Sequence, residues 1–510
     1  MSTLLPPVSR SLWLDRPGRP DHPPLVGDRD ADVVVVGAGI TGLTTAAILA
    51  RSGRHVVVLE RRSVGAAASG NTTAKATVLH GLRYAEIIRK HGTATAQAYA
   101  SANEAGLRWL IEEAKSADAG VESCAAYTYV TDSRLAREIE DEVAALRASG
   151  IDAESTTVTG LPFDVASAVR VNDQAQFDPV VHLDRLAREV VMAGGAVHGA
   201  SPVDSVHDGS PCRVSVRAGH TVRAGHVVIA TGIPFPHRSL FFARVEPLRS
   251  YLLALPLEGA APEGMYLSAD RVTRTVRTAV GADGTRYLVA GGEGHKVGQE
   301  THALSHHEGP ARWALEHFPV RKVTHRWSAQ DYRSADLLPC VGPAWLGTDR
   351  VLAATGFDKW GMTNGTAAGL ALAGRIMGQP VPWQETFSPN RLTLRASARA
   401  LASVNSDVAV RLVSGWLRPD TDQRAPSEGA GRVERRGLTK VARSRVQGED
   451  RALCAICTHL GGIVEWNDAE LSWDCPLHGS RFAADGQVLE GPATRPLRPV
   501  QHPPAERPPD

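Results

Sequence analysis

Residues 32–60 read DVVVVGAGITGLTTAAILARSGRHVVVLE, and this stretch decides the fold. Asp32–Val36 is dominated by β-branched residues, which predicts a buried parallel strand. Apolar residues then recur with helical spacing from Ile40 until Gly53, and His55–Leu59 is the next strand-like run. The segment therefore predicts a strand–helix–strand unit that opens an α/β domain of the Rossmann type.

A glycine-rich turn joins the first strand to the helix. In a G-x-G-x-x-G turn the first glycine permits the tight turn, the second admits a pyrophosphate, and the third lets helix and strand pack closely. Free N–H groups at the helix N-terminus bind the phosphates. Glu60 ends the second strand, near the spacing at which an acid accepts hydrogen bonds from a ribose. The predicted dinucleotide contacts are therefore Glu60 and the turn residues Gly37, Ala38, Gly39, Ile40, Thr41 and Gly42.

Composition excludes several classes of protein. The 510 residues are 43% hydrophobic and 22% charged, which is typical of globular proteins. The formal net charge of +1 predicts no nucleic-acid partner. No apolar run approaches the roughly 20 residues that a membrane span needs, and neither a secretory nor a twin-arginine signal is visible. We therefore expect a cytoplasmic protein without a membrane span.

Four segments in order resemble the D-amino-acid oxidase-type FAD-dependent oxidoreductases, the group of glycine and sarcosine oxidases. They are the glycine-rich start, the helix segment 173–203, VVIATG at 227–232, and VLAATGFDKWGMTNG at 351–365. The resemblance spans about residues 30–378. It favours FAD over NAD, which the turn alone leaves open, and no second G-x-G-x-x-G turn follows a strand.

The resemblance implies how this part of the chain is divided. FAD-binding parts are expected at about 30–80, 175–235 and 325–378, interleaved with parts of an antiparallel-sheet substrate domain at about 81–174 and 236–324. The implied substrate is a small molecule, an amine or amino acid. Further FAD contacts implied by the resemblance are Arg61, Thr72, Thr73, Ala74, Lys75, Val203, Ala230, Thr231, Gly232, Gly356, Gly361, Met362 and Thr363.

Three side chains are candidates for other roles in this region. Lys75 is a candidate for hydrogen-bonding a water beside the flavin or for stabilising its reduced anion, with a surface lysine that opens the next helix as the alternative. Arg249 is a candidate for binding a substrate carboxylate with both guanidinium nitrogens, with an ordinary strand arginine as the alternative. Cys340 is expected in the core. No catalytic residue is assigned.

The remainder divides into smaller units. Residues 1–29 are an N-terminal extension. Residues 379–431 contain a predicted helix, Leu394–Trp416, and a linker rich in Pro, Gly, Asp and Ser. Residues 432–500 have short strand-like runs and frequent Gly, which predicts a small all-β domain, and 501–510 form a tail.

The small domain contains a spaced set of metal-ligand residues. Cys457-x-His459 is followed by Cys475-x-x-His478. Two thiolates and two imidazoles suit either a structural zinc ion or a Rieske [2Fe–2S] cluster, in which the cysteines hold one iron and the histidines the other. The flanking CTHLGG and CPLHGSRF closely resemble the two Rieske loops, which implies the cluster.

The loops depart from the high-potential respiratory pattern. The disulfide of that pattern would need cysteines at Gly462 and Leu477. Ser480 is retained as a donor to a cluster sulfur, but Phe482 stands where a tyrosine hydroxyl would assist. A lost donor predicts a potential in the lower or middle part of the roughly −150 to +300 mV Rieske range. Cys454 is expected to be a packed thiol.

A two-electron flavin and a one-electron cluster on one chain suggest a dehydrogenase. The expected reaction is oxidation of an amine or amino acid, with electrons passing singly through the cluster to an external acceptor, either a ferredoxin-like protein or a quinone. Two alternatives stay open. One is a reductase with electrons entering through the cluster, and the other is a non-catalytic redox carrier or sensor.

Overall fold

The computed structural model describes residues 4–300, 302–391, 394–417, 425–437 and 439–500. Residues 418–424 of the expected linker and the expected tail, residues 501–510, lie outside the described residues. The α-helices are α1 (Ile40–Arg51), α2 (Arg83–His91), α3 (Thr93–Ser116), α4 (Ala136–Ala148), α5 (Pro179–Met192), α6 (Ser305–His317), α7 (Gly361–Ile376) and α8 (Leu394–Leu417).

The strands form two large sheets and two small ones. In chain order they are β1 (Arg29–Val36), β2 (Val56–Leu59), β3 (Lys75–Ala76), β4 (Glu122–Val130), β5 (Glu154–Thr156), β6 (Ser167–Gln176), β7 (Ala196–His198), β8 (Val203–His207), β9 (Cys212–Val216), β10 (Thr221–Ile229), β11 (Val245–Pro256), β12 (Met265–Ser268), β13 (Arg274–Val280), β14 (Arg286–Lys296), β15 (His325–Ser334), β16 (Cys340–Pro343), β17 (Val351–Thr355), β18 (Gly431–Arg436), β19 (Thr439–Val446), β20 (Glu449–Cys454), β21 (Glu465–Asn467), β22 (Ser472–Asp474), β23 (Arg481–Ala483) and β24 (Val488–Glu490).

The first sheet has the order β16-β17-β10-β1-β2-β7, with β8 and β9 attached to β10. Strand β1 pairs in parallel with β2, with Val33 opposite Val56, and on its other side with β10. The apolar run of β1 is buried on both faces. Val33 and Val35 pack against helices such as α1, and Val34 and Val36 pack against residues of β8 and β9. The strand–helix–strand unit predicted for residues 32–60 is therefore present.

The second large sheet has the order β15-β11-β14-β13-β12-β4-β6-β3, with β5 beside β6. Its pairings are antiparallel except that β12 runs parallel to β4. Because its strands come from segments that alternate along the chain with those of the first sheet, the two sheets are interleaved as expected.

The C-terminal part is all-β, as predicted. It consists of the sheet β18-β19-β20 and the sheet β21-β22-β23-β24. It contacts the rest of the protein: Arg326 Nη1 donates a hydrogen bond of 2.7 Å to the carbonyl of Ala469, and Leu304 N donates one of 3.0 Å to Asp468. These bonds place the small domain against the second large sheet and the start of α6.

The N-terminal extension is packed against the two large sheets. Trp13 is 2% exposed, and its indole N–H donates to the carbonyl of Thr72 at 2.7 Å. Arg19 forms an ion pair with Asp184 on α5. Among the helices that the structure describes, none is long and apolar enough to cross a bilayer.

Candidate functional site

Residues from both large sheets and from the C-terminal domain line a cavity of about 390 Å³. This volume is within the usual range for small-molecule sites. Most of the residues predicted to contact a dinucleotide are in its wall. They are Gly37, Gly39, Ile40, Thr41, Glu60, Arg61, Thr72, Thr73, Lys75, Val203, Ala230, Thr231, Gly232, Gly361 and Met362.

The glycine-rich turn has the close contacts that its sequence predicts. Gly37 has a φ of +106°, and a Cβ there would lie 2.4 Å from the carbonyl oxygen of Ala230. A Cβ on Gly42 would lie 2.0 Å from the carbonyl oxygen of Gly37. Both positions therefore require glycine, and the turn leaves the N-terminus of α1 open toward the cavity.

Glu60 orders this turn. Its carboxylate accepts a hydrogen bond of 2.9 Å from Ala38 N and another of 2.9 Å from Arg62 N. Ser69, which the sequence analysis missed, accepts a hydrogen bond of 3.0 Å from Ile40 N. The first turn of α1 is thus held by two side chains that reach it from the loop after β2.

Five of the predicted contacts lie behind the cavity wall, where they support it. Gly42 packs on Gly37, and Ala38 binds Glu60 through its N–H. The other three are Ala74, whose carbonyl accepts a hydrogen bond of 2.7 Å from Arg277; Gly356, which packs on Ser334; and Thr363, whose hydroxyl donates to the carbonyl of Thr77.

Lys75 faces the cavity from β3. Its Nζ donates hydrogen bonds to the carbonyl of Tyr266 at 2.6 Å and to the hydroxyl of Thr275 at 2.5 Å. Burial, together with the nearby Arg277 guanidinium, lowers the pKa of Lys75 to about 7. A substantial fraction of this amine is therefore neutral near pH 7.

A second polar group lies across β15 and the loop before α7. Asp331 is half-buried and accepts hydrogen bonds from Tyr332 N at 2.8 Å and Lys359 N at 2.6 Å. Burial raises the pKa of Asp331 to about 7. Asp358 instead pairs with Arg83 and Arg333, so its negative charge is compensated.

Lys359 is the cation of this group that can bind a ligand in the cavity. Its side chain lies in the cavity wall, and within the described residues its Nζ makes no hydrogen bond or ion pair. Burial lowers the pKa of Lys359, while Asp358 opposes the shift. The segment 351–365 includes Lys359, but the sequence alone does not show that its side chain faces the cavity, because this depends on the conformation of the loop before α7.

Arg249 does not face the cavity, and the expectation that it holds a carboxylate there is wrong. The side chain is 1% exposed and donates a hydrogen bond of 2.5 Å to Ser328. Its other contact is an ion pair of 3.4 Å with Glu470 of the C-terminal domain. The alternation of β11 turns Ser250 and Leu252 to the cavity and Arg249 to the opposite face.

The two ligand loops of the C-terminal domain have the same backbone pattern. We call Cys457–Gly462 ligand loop 1 and Cys475–Ser480 ligand loop 2. In each loop the N–H of the cysteine at the start donates a hydrogen bond of 2.8 Å to the carbonyl of the last residue. The N–H of a glycine with a φ near +76° donates one of 3.1 Å to the carbonyl of the same cysteine. Backbone N–H groups in both loops point at the cysteine sulfurs.

The four ligand residues converge as two pairs. The Cys457 and Cys475 thiols share a hydrogen bond, and the rings of His459 and His478 are 5.1 Å apart and perpendicular. Burial lowers the pKa of His459 to about 3 and that of His478 to about 4, so both rings are in the neutral form that binds metal. Among the described residues no group of three or more His, Cys, Asp or Glu side chains is arranged for one ion.

Gly462 and Leu477, which stand where the respiratory pattern has its disulfide cysteines, lie side by side. A Cβ on Gly462 would be 2.6 Å from the side chain of Leu477. The leucine thus packs over the glycine and joins the loops by apolar contact. Ser480 lies beside the Cys457 sulfur and accepts a hydrogen bond of 3.0 Å from Ala493 N.

Two other cysteines were expected to be packed side chains. Cys340 is in the core as expected, and Cys454 is half-buried.

The cavity and ligand loop 2 are in contact. Gln330 lines the cavity, and its Nε2 donates a hydrogen bond of 2.8 Å to the carbonyl of Gly479. Gly298 also lies against this loop, and a Cβ there would be 2.7 Å from Pro476 N. The segment Leu489–Gly491 of the C-terminal domain forms part of the cavity wall itself.

A family model described as "FAD dependent oxidoreductase" matches residues 32–375, and one for the Rieske [2Fe-2S] domain matches residues 424–502. The chain belongs to the FAD-dependent oxidoreductase family. Its cofactors are therefore FAD and a Rieske [2Fe–2S] cluster. The buried Arg61 Nη1, which has no partner among the described residues, and the open turn at Gly37 fit FAD, and the paired loops fit the cluster.

One relative of this FAD-dependent oxidoreductase is similar along almost the whole chain, and another only over a short segment. The Rieske 2Fe-2S iron-sulfur protein YhfW of Bacillus subtilis is 33% identical over 96% of this chain and 97% of its own length. The cytochrome b6-f complex iron-sulfur subunit of Synechococcus sp. (strain JA-3-3Ab) is 56% identical over 45 residues, 9% of this chain and 26% of its own.

Solved structures show the same fold. Glycine oxidase from Geobacillus kaustophilus superposes with a TM-score of 0.58 at 16% identity, covering 71% of this chain and 99% of its own. L-proline dehydrogenase from P. horikoshii also has a TM-score of 0.58 at 16% identity, over 72% of this chain and 98% of its own. At these identities the likeness concerns the fold alone.

Proposed function

We propose that this protein oxidises an amine or amino acid in the FAD cavity and delivers the electrons singly, through the Rieske cluster, to an external acceptor. Bound FAD accepts two electrons as a hydride equivalent and the cluster transfers one at a time. The observation that carries the proposal is the contact of Gln330, a cavity residue, with Gly479, which follows the ligand His478. A dehydrogenase whose electrons leave through the cluster needs the two sites to adjoin.

The residues that would hold the cofactors follow from the site. FAD would lie along the Gly37–Gly42 turn, with Glu60 and Arg61 at the adenosine end and Thr72–Lys75 farther along the wall. Leu489–Gly491 of the Rieske domain would close part of this site. Cys457 and Cys475 would hold one iron, and His459 and His478 the other.

The charges of the cavity support a substrate with both an amine and a carboxylate. Lys359 presents an ammonium that has no partner in the described part of the chain and can bind a carboxylate by a charge-assisted hydrogen bond. Lys75, with a pKa of about 7, can accept the proton of a substrate ammonium, because only a neutral amine is readily oxidised. Ser250 and Thr273 line the same cavity and add two hydroxyl groups to its wall.

An anaerobic titration tests the proposal. The purified holoprotein is mixed with D-amino acids, N-methylated glycines, polyamines or NADH, while flavin absorbance and the Rieske EPR signal are followed together. We expect an amine or amino acid to bleach the flavin and the reduced-cluster signal then to grow. Reduction by NADH alone would favour a reductase, and no reduction by any small molecule would favour a redox carrier. The Cys457→Ser variant is the matched control, because its flavin should bleach without any cluster signal.

A further inference from the structure

Three apolar side chains are exposed around ligand loop 1. Leu240 is 56% exposed, Leu460 is 44% exposed and Trp416 is 39% exposed. We call these three residues the loop 1 patch. They come from three separate segments, namely the loop before β11, ligand loop 1 itself and the end of α8, so the patch is formed by tertiary packing.

The patch adjoins the cluster ligands. Leu460 follows His459 in the chain, and the indole N–H of Trp416 donates a hydrogen bond of 3.2 Å to the carbonyl of Gly461. Leu240 precedes a short turn that ends in Phe242, whose ring centroid lies 5.0 Å from that of His459 and 5.1 Å from that of His478. An electron reaching either imidazole is therefore within a few bonds and contacts of this surface.

The rim of the patch is basic. Arg238 and Arg495 are exposed, and neither forms an ion pair among the described residues. Arg495 lies beside ligand loop 1, since its carbonyl accepts a hydrogen bond of 2.6 Å from Thr458. Of the carboxylates on adjoining elements, Glu246 and Asp407 bind Lys296, at 2.6 Å and 3.6 Å, and Glu465 begins the strand after ligand loop 1. Among the described residues the rim therefore contributes two exposed arginine cations.

We propose that the loop 1 patch is the docking surface for a small acidic electron-carrier protein. An apolar centre with a basic rim complements an acidic carrier, and transient redox partners use small interfaces of this kind. The inference rests on the proposed function. In each encounter the reduced cluster gives up one electron and the carrier's redox centre gains one, so two encounters return the protein to its oxidised state after one substrate.

The test starts from protein reduced chemically, so it needs neither a substrate nor electron transfer from flavin. Its oxidation by an acidic cytochrome b5 fragment is compared by stopped flow with its oxidation by basic cytochrome c. We expect the rate with cytochrome b5 to fall steeply with added salt, whereas the rate with cytochrome c does not fall. Arg495→Glu should slow the acidic acceptor about tenfold, because a rim charge acts mainly on the association rate.

Matched controls are available on the remote surface. Arg89→Glu, at an arginine on α2 whose side chain is 72% exposed, is the control for Arg495→Glu. Val158→Ser, at a valine that is 80% exposed, is the control for Leu460→Ser. We expect the controls to behave as wild type and Leu460→Ser to weaken docking. Unchanged EPR g-values would establish that each variant keeps its cluster.

Three outcomes would overturn the inference. Equal rates for Arg495→Glu and wild type would remove the basic rim from the interaction. Loss of binding to quinone-containing anionic vesicles by Leu460→Ser, without any effect on the cytochromes, would assign the patch to a membrane surface. A dimer that dissociates in Leu460→Ser would assign it to a second copy of this chain. Failure of the amine titration, by contrast, would leave these rates unchanged and would count only against the proposed function.

Discussion

The Nε2 of Gln330 donates a hydrogen bond of 2.8 Å to the carbonyl oxygen of Gly479. Gln330 is 2% exposed and lines the FAD cavity, and Gly479 follows the ligand His478. The same Nε2 also donates to the hydroxyl of Tyr332 at 2.9 Å. One amide group thus fixes the distance between the cavity wall and ligand loop 2.

We predict that Gln330→Leu slows electron transfer between flavin and cluster. Leucine removes a buried hydrogen bond worth about 1 kcal/mol, and an equal rise in the barrier would slow transfer about fivefold. The measurement is flash photoreduction of the holoprotein, with flavin absorbance and the cluster signal followed in time. Because light supplies the electron, the substrate does not enter the result.

A matched control separates this bond from general loosening of the interface. The guanidinium of Arg217 binds the carbonyl of Thr494, another contact between the Rieske domain and the FAD domain. Arg217→Ala should leave the transfer rate unchanged. If wild type transfers electrons and Gln330→Leu transfers them equally fast, Gln330 has no role in the route.

The cluster should depend on its ligands while the flavin does not. We predict that Cys457→Ser or His478→Ala abolishes the Rieske EPR signal and leaves flavin absorbance intact. The ion pair of Arg481 with Asp474 at 3.0 Å, both buried, would still join the strands of the sheet whose last strand leads into Leu489–Gly491 of the cavity wall. Release of FAD from the same variants would instead mean that this wall folds only with the cluster.

Local sequence was sufficient for part of the site. The turn from Gly37 and the spacing of the ligands from Cys457 to His478 are set within short segments, so their patterns are visible in the chain. The sequence left Arg249 either as a carboxylate-binding residue or as an ordinary strand arginine, because the direction of its side chain depends on the register of β11. Leu489–Gly491 forms part of the cavity wall only because the two domains pack against each other, and the sequence near these residues contains no pattern that predicts this packing.

Gly37 in the glycine-rich turn and Gly53 after α1 both have a positive φ, and substituting each by alanine compares a cofactor-binding turn with an ordinary one. Gly37→Ala would bring a Cβ within 2.4 Å of the carbonyl of Ala230 at a φ of +106°, whereas Gly53→Ala at a φ of +83° meets no atom within 4 Å. We predict a loss of about 3 kcal/mol and of FAD for the first, and about 1 kcal/mol without FAD loss for the second. Urea unfolding and the flavin content after gel filtration measure both. Equal losses would show that the contact with Ala230 is relieved without cost.

The pH dependence of flavin reduction should report Lys75. Its pKa of about 7 means that the amine is protonated below this pH and neutral above it. We predict that the rate of flavin reduction by an amino acid rises with pH, is half-maximal near pH 7 and levels off about one pH unit higher. In Lys75→Gln the rate should fall and follow the substrate's own ammonium group. Lys115→Gln, at an exposed lysine on α3, is the control, and an unshifted profile in Lys75→Gln would assign the proton to another group.

Lys359 should select substrates that carry a carboxylate. A charge-assisted hydrogen bond in a buried site is worth about 1.5–3 kcal/mol, which corresponds to roughly 10- to 150-fold in affinity. We therefore predict that Lys359→Met raises the Kd of an amino acid by such a factor and leaves that of an amine without a carboxylate unchanged, measured from the saturation of anaerobic flavin reduction. Lys359→Arg keeps the charge and should retain most of the affinity. An equal rise in Kd for both kinds of substrate would mean that Lys359 shapes the cavity and does not bind the carboxylate.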